Sequence, residues 1–139
     1  MQFQIAFDCA DPHRLNRYWS ELLGYQREED PDFVRRMVDE GQATEADTIE
    51  IDGVLTWRTA AACRDPEGKG PRMLFQHVPE PKSVKNRVHL DLHVPPEEGR
   101  LLVERAIALG GAQLWEGQEG PSKWITLGDP EGNEFCITI

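Results

Sequence analysis

From Gln2 to Asp8 the chain alternates. Phe3, Ile5 and Phe7 fall on one side, and Gln4, Ala6 and Asp8 fall on the other. Strict alternation predicts a half-buried strand. The period then changes. Asp11-Pro12 offers an N-cap followed by proline at the first helical position, and Leu15, Tyr18, Trp19, Leu22 and Leu23 follow at helical spacing before Gly24. Tyr18 and Trp19 read as packing residues of this helix. Asp30-Pro31 repeats the start signal, and Phe33, Val34, Met37 and Val38 predict a short second helix ending at Gly41. Residues 55–63 and 72–78 read as strands, and Pro79-Glu80-Pro81-Lys82 opens a linker to about Asn86. Residues 88–94 alternate again, with Leu90, Leu92 and Val94 against His89, Asp91 and His93. Pro96 opens a helix through Leu109 that stops at Gly110-Gly111, and residues 112–115, 123–127 and 134–139 read as closing strands.

The order of signals repeats. Asp-Pro-Glu-Gly occurs at 65–68 and again at 129–132, each time between strand-like runs. Leu23-Gly24 and Leu109-Gly110 end the two main amphipathic stretches. Such repetition predicts an α+β fold of two tandem βαβββ modules. Module one spans 1–80, module two spans 86–139, and together they form a single domain over 1–139. Each helix covers the apolar face of its own sheet, with Phe7 and Phe75 against Leu22, and Leu92 and Phe135 against Ile107. The two sheets then curve into a trough-like mixed sheet, with helices on the outer face and polar side chains lining the inside. An acidic stretch near 30–47 has no counterpart in module two and reads as an insertion. Beside a scaffold, an insertion is either a lid or a surface decoration.

Composition narrows the partners. The net charge is −10 over 139 residues, which argues against a nucleic-acid partner. No apolar run is long enough for a membrane span. The N-terminus lacks the basic and apolar segments of a signal peptide. Cys9, Cys63 and Cys136 form no spaced motif, as expected of free thiols in the cytoplasm.

Three stretches carry a family resemblance: Asp-Pro-Glu-Gly-Asn at 129–133, Asn-Arg-Val-His-Leu-Asp-Leu at 86–92, and Phe-Gln-His-Val-Pro-Glu-Pro-Lys at 75–82. The chain resembles the vicinal oxygen chelate superfamily of glyoxalase I, bleomycin-resistance proteins and extradiol dioxygenases, in its glyoxalase-like domain branch. The resemblance implies a homodimer that handles a small molecule in the trough. It also implies a metal site with one ligand from the first and one from the last strand of each module, here Gln4, Gln76, His89 and Cys136. Gln4 and His89 fit the glyoxalase I pattern. Gln76 and Cys136 replace its two carboxylates, which disfavours glyoxalase I activity, and the two His and one Glu of extradiol dioxygenases are absent as well. A neutral amide cannot serve as the base, and two negative charges that would hold a divalent cation are gone. No cofactor is therefore expected, and a divalent metal is the minor alternative.

Alternation puts Gln4, Asp8, Gln76, His89, Asp91, His93, Glu134 and Cys136 on the face away from the helices. Trp57 and Trp124 precede the two equivalent turns and reach toward the same trough, or else pack in the core or a dimer interface. These ten residues are the candidate ligand site, with acids suited to a cationic or drug-like ligand. His89 is the candidate acid or base. Its structural alternative is a hydrogen bond to Gln4 across the module seam. For Cys136, the role of a small buried hydrophobe competes with that of a catalytic thiol. Two functions from different classes stand: a metal-independent small-molecule binding protein, and a divergent lyase or isomerase that uses His89 with or without a divalent metal.

Overall fold

The computed structural model describes residues 1–139. Module one contains β1 (Gln4–Cys9), α1 (Pro12–Leu23), β2 (Gln26–Arg27), α2 (Pro31–Asp39), a 3-10 turn (Glu45–Asp47), β3 (Thr48–Ile51), β4 (Val54–Trp57), β5 (Ala60–Arg64) and β6 (Arg72–His77). Module two contains β7 (Asp91–Leu92), α3 (Pro96–Ala108), β8 (Ala112–Glu119), β9 (Ser122–Gly128) and β10 (Glu134–Thr138). The first sheet runs β1-β6-β5-β2 and the second runs β7-β10-β9-β8. In each, the first strand pairs parallel with the last and the remaining pairs are antiparallel. The βαβββ duplication is therefore present in topology as well as in sequence.

Local chemistry explains the repeated elements. The Asp11 carboxylate accepts from the His13 and Arg14 backbone N–H groups at 3.1 and 3.0 Å, and Gly24, at φ 70°, ends α1. Both Asp-Pro-Glu-Gly turns work alike. Asp65 accepts from the N–H groups of Glu67, Lys69 and Gly70, Asp129 accepts from those of Glu131 and Asn133, and Gly68 and Gly132 take positive φ. The turns differ in length. Cα partners Cys63 and Met73 lie ten positions apart, whereas Leu127 and Phe135 lie eight apart.

One buried cluster of 14 residues draws on both modules, so the core is continuous. Trp19 bridges it. Its ring lies 4.8 Å from Phe135 and 5.5 Å from Phe7, and its indole N–H donates to Asp129. Leu22, Phe75 and Phe135 are buried as expected, but Ile107 is exposed; α3 instead buries Gly99, Val103 and Ala106. Gly99 permits that approach, because a Cβ there would come within 2.2 Å of the Thr138 carbonyl oxygen.

Three expectations need correction. Residues 55–63 are not one strand: β4 and β5 are separate, and β4 forms a hairpin with β3. The insertion accordingly runs past 47 and includes that hairpin. Of residues 88–94, only Asp91–Leu92 joins the ladder. The three core-side residues Leu90, Leu92 and Val94 still pack against the cluster. No helix is long and apolar enough to cross a membrane.

Candidate functional site

In module two, β10 fixes the site by alternation. Phe135 and Ile137 are buried in the core, so Cys136 faces the opposite side. Its parallel partner is Asp91, and His89 lies one strand step before Asp91. The His89 Nδ1 is 2.9 Å from Asp91 Oδ1, and ligand atoms of His89, Asp91 and Cys136 all lie within 4.8 Å of one another. Thr126 Oγ1 sits 3.4 Å from Cys136 Sγ. Burial raises the Cys136 thiol pKa, and the Asp91 carboxylate adds to the effect against the Thr126 hydrogen bond. The thiol therefore stays protonated near neutrality and is a weak nucleophile. Trp124 continues this face opposite Gly117, where a Cβ would come within 2.3 Å of the indole. His93 is exposed at the same edge.

Module one builds a different surface from the same scaffold. The pairing of β1 with β6 and of β7 with β10 aligns Gln4 with His89, and Cys136 with Leu74. Gln76 is thus not the counterpart of Cys136; it lies one strand step further along, at the position of Thr138. Gln76 donates to Asp8 at 2.9 Å. The Gln4 amide oxygen accepts from Arg72 Nη1 at 2.8 Å, so no hydrogen bond links Gln4 to His89. Arg72 also pairs with Glu28 through Nε and Nη2, and this hydrogen-bonded pair holds the Glu28 carboxyl below its usual range despite partial burial.

The insertion lies across this face. A cavity of about 460 Å³ opens between Ala60, Ala62, Leu74 and Arg72 of the sheet and Phe33, Val34 and Trp57 of α2 and β4. Phe33 and Trp57 meet edge to face with centroids 6.4 Å apart, and Glu28 and Asp30 stand at the rim. Trp57 therefore belongs to the inserted hairpin and is not the counterpart of Trp124; register gives that place to Ala60. Glu134 has a structural task. It accepts from the Asn86 N–H at 2.9 Å and pairs with Lys82 at 3.1 Å, pinning the linker. Burial pushes its pKa up, but these bonds outweigh burial and hold it below the usual range.

Nine of the ten candidates thus divide into three groups, with His93 outside them. His89, Asp91 and Cys136 converge, with Trp124 on the same face. Trp57 lines the covered cavity. Gln4, Asp8, Gln76 and Glu134 are engaged by other side chains or by the linker. Phe33, Leu74, Arg72, Glu28 and Thr126 were missed. Phe33 carried a signal as an apolar residue of the inserted helix. Glu28 and Arg72 are far apart in sequence and carried none.

Residues 4–138 match the glyoxalase-like domain family. The chain belongs to that family. Structures similar to this glyoxalase-like domain include a glyoxalase/bleomycin resistance protein/dioxygenase family enzyme from Burkholderia phytofirmans PsJN, at 16% identity and TM-score 0.64, covering 97% of this chain and 94% of that one. The fosfomycin resistance protein FosX from Listeria monocytogenes matches at 11% identity and TM-score 0.64, covering 99% and 91%. A mutant of that FosX was crystallised with Mn(II) and 1S,2S-dihydroxypropylphosphonic acid; it matches at 12% identity and TM-score 0.61, covering 96% and 84%. No curated protein matches the sequence. These relationships place the glyoxalase-like domain in the vicinal oxygen chelate superfamily and establish its fold.

The superfamily's four metal positions fall here on Gln4, Leu74, His89 and Cys136. They do not fit a divalent cation. Leu74 offers no ligand atom, and the Gln4 oxygen is already bound by the Arg72 guanidinium, whose positive charge opposes a metal ion beside it.

Proposed function

We propose that this glyoxalase-like domain protein binds a small, flat, largely apolar molecule in the covered cavity of module one, without using a metal. The observation that carries this reading is the cavity itself. About 460 Å³ lies between an apolar sheet floor and the Phe33–Trp57 pair, within the size range of small-molecule sites. The Phe33–Trp57 rings and the Asp30 carboxylate at the rim favour an amine or other cation on the ligand, whereas the Glu28 charge is already answered by Arg72. The test is a thermal-shift and calorimetric screen of flat, amine-bearing, drug-like compounds, with Trp57 fluorescence as reporter. Trp57→Ala and Phe33→Ala are expected to weaken each true ligand by about 1–3 kcal/mol. Binding that survives both substitutions would overturn the assignment.

A second reading rests on the 2.9 Å His89–Asp91 contact, which orients the imidazole as an acid or base in a lyase or isomerase. Assaying every hit for turnover separates the two, since turnover lost on His89→Ala but kept in Trp57→Ala supports the enzyme. We place the protein in the cytoplasm as a homodimer. Three free cysteines suit a reducing compartment, and the exposed Phe3, Val84 and Val88 offer apolar surface for a second copy.

A further inference from the structure

Another cavity, of about 900 Å³, opens between α1 and the β3–β4 hairpin and shares no lining residue with the covered one. Its walls gather Arg14, Arg17, Arg58, His13 and His77 in a chain whose net charge is −10. We propose that this cavity binds an oxyanion-bearing small molecule, of the phosphorylated class, independently of the covered cavity.

Arg58, His13 and His77 are held in place by backbone carbonyls. Arg58 donates from Nε to the Ala46 carbonyl at 2.8 Å and from Nη2 to the Thr48 carbonyl at 2.7 Å. Neither bond neutralises its charge, because carbonyls are not carboxylates. His13 Nε2 lies 2.9 Å from the Trp57 carbonyl, and His77 Nδ1 lies 3.0 Å from that of Ala10. A carbonyl only accepts, so each of these nitrogens carries the proton and the other ring nitrogen is left open. The His77 N–H bonds the Thr59 carbonyl, which draws the His77 and Arg58 ends together. Arg17 is answered by Asp52 at 2.7 Å, whereas Arg14 and Arg58 have no carboxylate partner.

The acids at the cavity are partly committed. Asp11 spends one oxygen on the His13 and Arg14 N–H groups as the α1 cap, so the helix end is not the proposed donor. Glu21 stands on the α1 wall. Tyr18 also lines the cavity. Its hydroxyl is fully buried beside Gly111 and does not open onto the cavity, so Tyr18 contributes only ring surface to the wall. Ile49 and Ile51 give an apolar wall. The volume exceeds what a bare phosphate fills, which points to an anion attached to an organic body.

The experiment is calorimetry on the full chain with ADP, adenosine and inorganic phosphate as probes, and NMR of the His13 and His77 rings. ADP is expected to bind at one site and move both rings, adenosine to bind far more weakly, and inorganic phosphate to compete with ADP. Arg14→Glu, at an exposed position without partners, is expected to weaken ADP about tenfold or more, as loss of one charge-assisted contact does. Arg14→Lys should retain most of the affinity, and Phe33→Ala, in the covered cavity, should not change it. A melting curve for each variant confirms the fold. Equal binding of adenosine, absence of phosphate competition, unmoved histidine rings, or unchanged ADP affinity in Arg14→Glu would each overturn the proposal.

Discussion

Arg72 distinguishes the helix-distal face of module one from that of module two. Its guanidinium joins Gln4 on β1 to Glu28 beyond β2, so one side chain ties the first strand to the far edge of the sheet. The pair is only partly shielded, with the Glu28 side chain 29% exposed, and its contribution is modest. Glu28→Gln is expected to lower stability by about 1 kcal/mol at neutral pH. The sign with pH follows from the depressed Glu28 pKa. A carboxylate held below its unfolded value stabilises the fold above that value, about 4.3, and loses the effect as pH falls through its folded value. The gap between wild type and Glu28→Gln should therefore be full at pH 7 and already be shrinking at about pH 4, just below the ordinary glutamate value. Urea unfolding at both pH values measures it, and a gap that widens in acid would contradict the assignment.

At the scale of elements, the insertion decides what module one can bind. α2 buries one residue, Val34, and faces the sheet across the cavity through Phe33, beside Trp57 of β4. An element held by so little apolar contact should open locally without global unfolding. Hydrogen exchange is expected to be faster in α2 than in β9 and β10. Val34→Ala should speed it further over residues 30–57, at a cost of about 1 kcal/mol or slightly more. Equal protection of α2 and β10 in that variant would mean the insertion is a rigid wall and no lid. The helices here were legible, because Asp-Pro starts and glycine stops are local signals and both appear in α1 and α2. The strand boundaries were less so. Residues 88–94 alternate, and Leu90, Leu92 and Val94 do pack on the core, yet only Asp91–Leu92 carries ladder pairing. Alternation reports which side is buried; it does not report which backbone groups find a neighbouring strand. Arg58 and Thr59 split residues 55–63 for a related reason: Arg58 turns its N–H and guanidinium to the backbone at 46–48, which is a tertiary contact.

At the scale of the whole molecule, duplication was written in the repeated Asp-Pro-Glu-Gly turns, but equivalence of individual positions was not. The first turn is two residues longer, so counting from its Asp reaches Arg72, and strand pairing gives the place to Leu74 and not to the expected Gln76. Hydrogen-bond partners across modules were equally hidden: Trp19 with Asp129, or the Ala10 and Asp11 N–H groups with Glu131, join residues more than a hundred positions apart. The corrected register bears directly on metal binding, since a superfamily site needs donors from both modules. Module one supplies a leucine and an amide already bound to a guanidinium, and module two supplies His89 and Cys136. His89, Asp91 and Cys136 alone offer three ligand atoms from one module, and the Cys136 thiol must first lose a proton that burial and Asp91 help it keep. The expected result is less than one divalent ion per chain in protein purified without chelators or a metal-affinity tag. Elemental analysis before and after dialysis separates tight binding from loose association with an acidic surface. One zinc, nickel or iron per chain that survives dialysis and disappears on His89→Ala would show that module two, with Asp91 in place of the missing partners, assembles a site without module one, and would move the balance from the binding protein to the enzyme.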